Sequence, residues 1–373
     1  MLKVLLLLLA LLAALVSLLT LVRAPDYVWT WKLAIAVSEF GHWLVLLPLA
    51  LALVACLGSA GAGRIGTLIL CGLATTALLR PAFSAWRLDP GAFSWARLYA
   101  HASPAPVMVR TEVFARPEGQ ELQVDFYSPA YAKDVREKPR PCLVVIHGGG
   151  WDGGDRTQLA EWNARFVAQG WAVAAVSYRL APQFIWPAQR DDVLAAVAWL
   201  KANAVRLGID PTRLVLLGRS AGGQLAAAVG YGAHDPAIRG VIALYAPHDM
   251  PFAWSVSRED DALNSIKLMR QYFGGPPDTP ERRARYESAS GQLLATKDSP
   301  PTLLIHGVPD TLSWYRHSER LAARLRELGV AHTHLQLPWA THGFDFNPDG
   351  PGGQLADHAI AQFLAANGPA RRR

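Results

Sequence analysis

Residues 2–22 form a run of leucine, valine and alanine broken only by Lys3, Ser17 and Thr20. Such a run dictates one long helix, which either crosses a bilayer or is cut off as a leader. A secretory leader needs a small-x-small cleavage site. Leu21-Val22-Arg23-Ala24-Pro25 offers none and sets a proline after its one alanine, so a retained helix is expected. Two further apolar runs follow at about 33–57 and 65–79, the second flanked by Arg64 and Arg80, which can snorkel. Trp29, Trp31 and Trp43 fall where an interfacial aromatic belt would sit.

Charge draws the same boundary. Residues 1–82 carry seven of the 66 charged side chains, and the remaining 291 residues carry an ordinary globular share. The expectation is a multi-pass segment of two or three helices in the cell membrane, a juxtamembrane linker over 83–106 and a large domain over 107–368. Basic residues lean toward a cytoplasmic large domain, by a margin that leaves its side open. The linker alternates aromatic residues with Arg87 and Arg97. That pattern suits a helix in the membrane interface and equally a segment packed on the large domain. Glu39 and His42 stand one helical turn apart in the second run. Their readings are headgroup-level side chains beside Trp43, which is favoured, or an intramembrane proton relay.

The net charge of +6 splits evenly between the two parts, and the share of the large domain equals that of Arg371, Arg372 and Arg373 alone. The domain is thus nearly balanced and no nucleic-acid partner is expected. Cys56, Cys71 and Cys142 make neither a disulfide framework nor a metal-ligand spacing.

Within the large domain, 107–114 and 121–127 alternate apolar and polar around Pro117-Glu118-Gly119, as a hairpin does. Beyond it, short apolar runs at 142–146, 172–176, 214–217, 241–245, 302–305 and 332–337 alternate with helical stretches. Apolar strands without alternation indicate a mostly parallel sheet covered on both faces, a doubly wound α/β fold. Ligands bind such a sheet at the carboxyl ends of its strands.

The strand at 214–217 leads into Gly218-Arg219-Ser220-Ala221-Gly222-Gly223 and then a helix. This is G-x-S-x-G in its strand–turn–helix context, which presents a serine hydroxyl above the sheet as nucleophile. The strand at 142–146 ends in His147-Gly148-Gly149-Gly150-Trp151. Gly148, Gly149 and Gly150, with the N–H of Ala221, are candidate donors to an oxyanion, while His147 is expected to orient the loop. His342 follows the last strand and is the candidate base; Asp310 follows the 302–305 strand and is the candidate orienting acid, with Asp345 ranked behind it. His332 and His334 are expected in packing, not as zinc ligands, and no metal or cofactor is expected.

The domain resembles α/β-hydrolases of the esterase branch that holds hormone-sensitive-lipase-like, feruloyl/acetyl-esterase-like and arylacetamide-deacetylase-like enzymes. The residues that carry the resemblance, over roughly 107–366, are His147-Gly148-Gly149-Gly150-Trp151, Ser177-Tyr178-Arg179-Leu180-Ala181-Pro182, the Ser220 turn, His306-Gly307 with Asp310, and Thr341-His342-Gly343-Phe344. It implies carboxylic ester hydrolysis through an acyl-enzyme, with a small or lipid-like ester as partner. Arg219, where the lipase-like branch usually has aspartate, points toward the feruloyl/acetyl-esterase-like branch; Val308 stands where relatives are often acidic. An insertion at about 248–300, rich in aromatic residues, is expected to cap the acyl pocket. An amidase or deacetylase with the same triad, and a non-catalytic membrane binding protein on this fold, stay open as alternatives.

Overall fold

Leucine-rich sequence makes helix in the N-terminal part because straight-chain apolar residues lose little rotamer freedom there. The computed structural model describes residues 2–58, 60–101, 103–130 and 139–367. Arg371, Arg372, Arg373 and the expected domain end at 368 lie outside the described residues. The chain divides into two compact units. The first joins residues 1–102 to two short stretches from far along the sequence, 307–314 and 336–358.

In that unit α1 (Leu2–Ser17) continues through a 3₁₀ turn to Thr20, α2 is Val28–Glu39, α3 is Leu46–Leu57 and α4 is Ala62–Leu88. The stretches Leu2–Thr20 and Ala62–Leu88 are long and apolar enough to cross a membrane, and a third span is counted if the bent pair Val28–Glu39 and Gly41–Leu57 acts as one. The second apolar run, expected at about 33–57, is thus a pair of helices bent by 79°. At the bend a Cβ on Gly41 would stand 2.2 Å from the carbonyl oxygen of Leu78 on α4, a backbone approach only glycine permits.

The third run likewise differs from 65–79, because α4 carries on through Pro81. A proline has no N–H for the carbonyl four residues back, here Ala77. The Thr20 hydroxyl donates to that carbonyl at 3.0 Å, and Arg80 donates to the Thr20 carbonyl. Of the linker expected over 83–106, the first residues thus belong to α4. The rest is pinned by Arg97 to Asp349 (2.9 Å) and Asp357 (3.0 Å) and by the Ser94 N–H to Gln354 (2.7 Å), with Phe93 and Leu98 buried. These contacts are those of a packed segment, while Trp86 and Tyr99 stay exposed.

The second unit holds the sheet except for Gly307 and residues 336–337, which fall in the first. Its strands are β1 (Val107–Ala115), β2 (Leu122–Pro129), β3 (Arg140–Ile146), β4 (Ala172–Val176), β5 (Ile209–Arg219), β6 (Ile238–Leu244), β7 (Thr302–Gly307) and β8 (His332–Leu337). They stand in the order β1-β2-β4-β3-β5-β6-β7-β8. The first two pairings, β1 with β2 and β2 with β4, are antiparallel; β4-β3-β5-β6-β7 are parallel. All five residues of β4 and the last six of β3 are buried, which is why these strands read as unbroken apolar runs. Each valine, leucine or isoleucine among them stabilises the sheet by roughly 1.5–3 kcal/mol when withdrawn from water, and each alanine by less.

From β3 the chain winds first to β4 on one side and then to β5 on the other, so the sheet reverses its winding between β3 and β5. Ile146 pairs with Gly218 across that junction. The loops that leave β3 and β5 therefore emerge side by side at the point where open α/β sheets bind ligands.

Candidate active site

β5 runs into α5 (Ala221–Gly232) through Ser220 alone, whose backbone sits at φ 52°, ψ −120°. A non-glycine residue in that region is strained, at a cost of order 1–3 kcal/mol. The surrounding glycines make the turn possible. A Cβ on Gly218 would stand 2.0 Å from the Gly222 carbonyl oxygen, and one on Gly222 would stand 2.2 Å from that of Ile146. The Ser220 N–H is held by the Leu244 carbonyl at 2.9 Å, and its carbonyl accepts the N–H groups of Gly223 and Gln224 as α5 begins. Ser220 is half-buried at the amino end of a helix whose dipole favours negative charge there.

The glycine loop after β3 lies against this turn. A Cβ on Gly148 would come within 2.9 Å of the Arg219 carbonyl oxygen and 3.4 Å of Ser220 Cβ. Gly149 and Gly150 have φ of 123° and 62°, which L side chains rarely adopt. The Gly148 N–H donates to Gln158 Oε1 at 2.8 Å. The donor role expected of Gly148 therefore meets a competing side-chain acceptor, while its approach to the serine turn is close. His147 is buried and stacked on Tyr178, ring centroids 4.2 Å apart, with Nδ1 2.8 Å from the Gly148 carbonyl. Burial lowers its pKa from the ordinary histidine value, so it is a neutral loop support.

Trp151 and Gln224 extend the loop into the 248–300 insertion, which folds into helices Met250–Val256, Ser265–Phe273 and Pro280–Ser288. Trp151 stacks on Tyr272 at 4.4 Å, and a Cβ on Gly150 would meet Leu268 at 3.2 Å. Gln224, fully buried on α5, accepts from the Trp151 indole (2.9 Å) and the Tyr272 hydroxyl (3.0 Å), and donates to the Ala289 carbonyl (2.7 Å). Sequence reasoning passed over Gln224. Its one signal is a glutamine inside the otherwise apolar stretch that follows the nucleophile turn.

In the other unit, His342 and Asp310 meet. His342 Nδ1 lies 2.8 Å from Asp310 Oδ2, and Asp310 is completely buried. The N–H groups of Leu312 and Ser313 donate to the second carboxylate oxygen at 2.8 and 2.9 Å, which fixes the carboxylate and favours its charge. Gly307 lets the end of β7 reach the histidine loop, since a Cβ there would stand 2.0 Å from the Ala340 carbonyl oxygen. Asp345 is buried in the turn Phe344–Phe346; the carboxylate bonded to His342 Nδ1 is that of Asp310. His332 and His334 are half-buried, and His332 Nδ1 lies 2.9 Å from the Val330 carbonyl.

The comparisons with known proteins agree with this architecture. Residues 124–325 match the BD-FAE family model. Esterase LipC of Mycobacterium tuberculosis is 32% identical over 248 residues, covering 62% of this chain and 60% of that protein; this chain thus spans less than two-thirds of that relative's length. Among solved structures, esterase LipW of Mycobacterium marinum superposes with a TM-score of 0.59 at 26% identity, covering 78% of this chain and 90% of the other. A bacterial heroin esterase superposes with a TM-score of 0.62 at 24% identity, covering 77% and 91%, a likeness of fold alone.

Proposed function

The chain belongs to the BD-FAE family, with an α/β-hydrolase fold, and from that premise we propose that it is a membrane-anchored serine hydrolase of carboxylic esters. The observation that carries the reading is the backbone of Ser220, held at φ 52° by a turn that glycines alone permit. Strain of that kind is kept where it presents a nucleophile.

In this reading His342 takes the proton of Ser220 as the hydroxyl attacks the ester carbonyl. Asp310 on Nδ1 fixes the tautomer in which Nε2 is the basic nitrogen and stabilises the imidazolium that forms. The N–H groups of Gly149, Gly150 and Ala221 face the developing oxyanion, with Gly148 supplying close approach. His342 then protonates the leaving alcohol, and a water activated by the same histidine frees the acyl group. No cofactor enters. The insertion, apolar and aromatic beside the glycine loop, favours an uncharged acyl group. Esterase LipC and esterase LipW carry the same activity in their names. The two long apolar helices support membrane anchoring.

The test is turnover of short and medium acyl nitrophenyl esters by the full-length protein in detergent, beside Ser220→Ala and matched anilides. Ester turnover lost in Ser220→Ala supports the reading. Faster anilide turnover would favour the amidase alternative, and an unreactive folded protein would leave a binding role.

A further inference from the structure

We infer that the N-terminal segment is part of the catalytic apparatus, with Trp31 and Glu39 on α2 as positioning residues for the loop that carries His342. The inference rests on the hydrolase reading and adds to it a requirement that the family match, confined to residues 124–325, does not contain. α2 belongs to the same compact unit as the loops bearing Asp310 and His342, and it grips them at separate points. The Trp31 indole N–H donates to the backbone carbonyl of His342 itself at 2.8 Å. Glu39 is completely buried; one carboxylate oxygen accepts the Gly352 N–H at 2.8 Å and its backbone carbonyl accepts from the Asn347 side chain at 2.9 Å. A Cβ on Gly350 or Gly352 would stand 2.7 or 2.9 Å from the Glu39 carboxylate, so the loop is shaped around that group. Just before α2, Arg23 donates to the carbonyl of Thr311, the residue after Asp310, at 3.3 Å.

Both readings offered for Glu39 from the sequence, a headgroup-level side chain and a membrane relay, give way to this one. The imidazole of His342 is fixed at two places: Asp310 holds Nδ1, and Trp31 holds the main chain from which the ring projects. A shielded carbonyl left without its donor costs free energy, which favours a shift of the loop toward another partner. A displacement of about 1 Å at a catalytic group slows the chemical step by about 100-fold. Substrate binding would be spared, because neither residue is in the insertion or the glycine loop. The effect therefore falls on kcat rather than KM.

The experiment uses the full-length protein in detergent micelles, with nitrophenyl butyrate as substrate and a fluorophosphonate as probe of serine reactivity. Trp31→Phe keeps an aromatic side chain and removes the donor. It is expected to lower kcat by about 10- to 100-fold with KM within about twofold, and to slow fluorophosphonate labelling by the same factor, at a near-wild-type melting temperature. Glu39→Gln retains an acceptor for Gly352 and is expected to recover most of the kcat lost in Glu39→Ala. Trp29→Phe, on an exposed neighbour, serves as the control and is expected to match wild type. Should Trp31→Phe fail to fold, the Glu39 pair carries the test by the same split between kcat and KM. Active wild type with unchanged kcat in Trp31→Phe, or losses that only track melting, would overturn the inference alone. Wild type without turnover or label would sink the hydrolase reading, and the inference with it.

Discussion

Replacing Gln224 with leucine tests the claim that the nucleophile helix, the glycine loop and the insertion are locked together by one side chain. Leucine has nearly the same volume, so little packing is lost. Three polar partners are: the Trp151 indole N–H at 2.9 Å, the Tyr272 hydroxyl at 3.0 Å and the Ala289 carbonyl at 2.7 Å. Trp151 and Tyr272 are buried, so water cannot readily replace the glutamine. At about 1–3 kcal/mol for each group left unsatisfied, and allowing for non-additivity, the loss is about 3–5 kcal/mol. Urea unfolding followed by tryptophan fluorescence measures it. A double-mutant cycle sharpens the test. Trp151→Phe removes one of the stranded donors, so Gln224→Leu should be less damaging in that background by about 1 kcal/mol or more. A loss below about 1 kcal/mol for Gln224→Leu, or strict additivity with Trp151→Phe, would refute the reasoning.

Other expectations follow from the same geometry. Asp310→Asn keeps the shape but sets an amide against His342 Nδ1, and kcat on nitrophenyl esters should fall by about 10³- to 10⁴-fold with KM little changed. Gly222→Ala puts a methyl group 2.2 Å from the Ile146 carbonyl oxygen, a backbone clash that nothing flexible relieves; soluble yield and cooperative melting should both be lost. Acid should destabilise the fold through two histidines kept from water, the buried His248 and the half-buried His334. Burial, with neighbouring histidines, lowers the pKa of His334 from 6.5 to about 4 and sets that of His248 well below 6.5. The unfolded chain then binds more protons, so the stability is present above about pH 6.5 and drains away as pH falls toward 4, by about 3 kcal/mol for His334. His334→Gln should flatten that loss in urea titrations between pH 7 and 4; an unchanged slope would contradict the assignment.

Much of this was legible in the sequence, and the physical reasons differ from part to part. The parallel strands announce themselves because strands buried on both faces must be apolar throughout, as in β3 and β4. The Ser220 turn is legible because backbone crowding at Gly218 and Gly222 admits nothing larger than hydrogen. Contacts between distant stretches left no such mark. The close approach of Gly41 to Leu78 at the bend before α3 has no signature, since Gly41 reads like any glycine in an apolar run. The linker looks amphipathic either way, and the partners of Arg97, Asp349 and Asp357 among them, lie some 250 residues on. Gly148 resembles its two neighbours as a donor until Gln158 is seen to occupy its N–H. Glu39 looks misplaced in an apolar run because the backbone N–H it serves, at Gly352, lies 313 residues away.

The central claim is that Ser220 is an activated nucleophile, and the most direct measurement is intact mass followed by peptide mapping of the full-length protein after fluorophosphonate treatment. The account predicts one adduct per chain, carried by Ser220, and a rate of formation that collapses in His342→Ala. An adduct on another residue, or none on a folded protein, would contradict it.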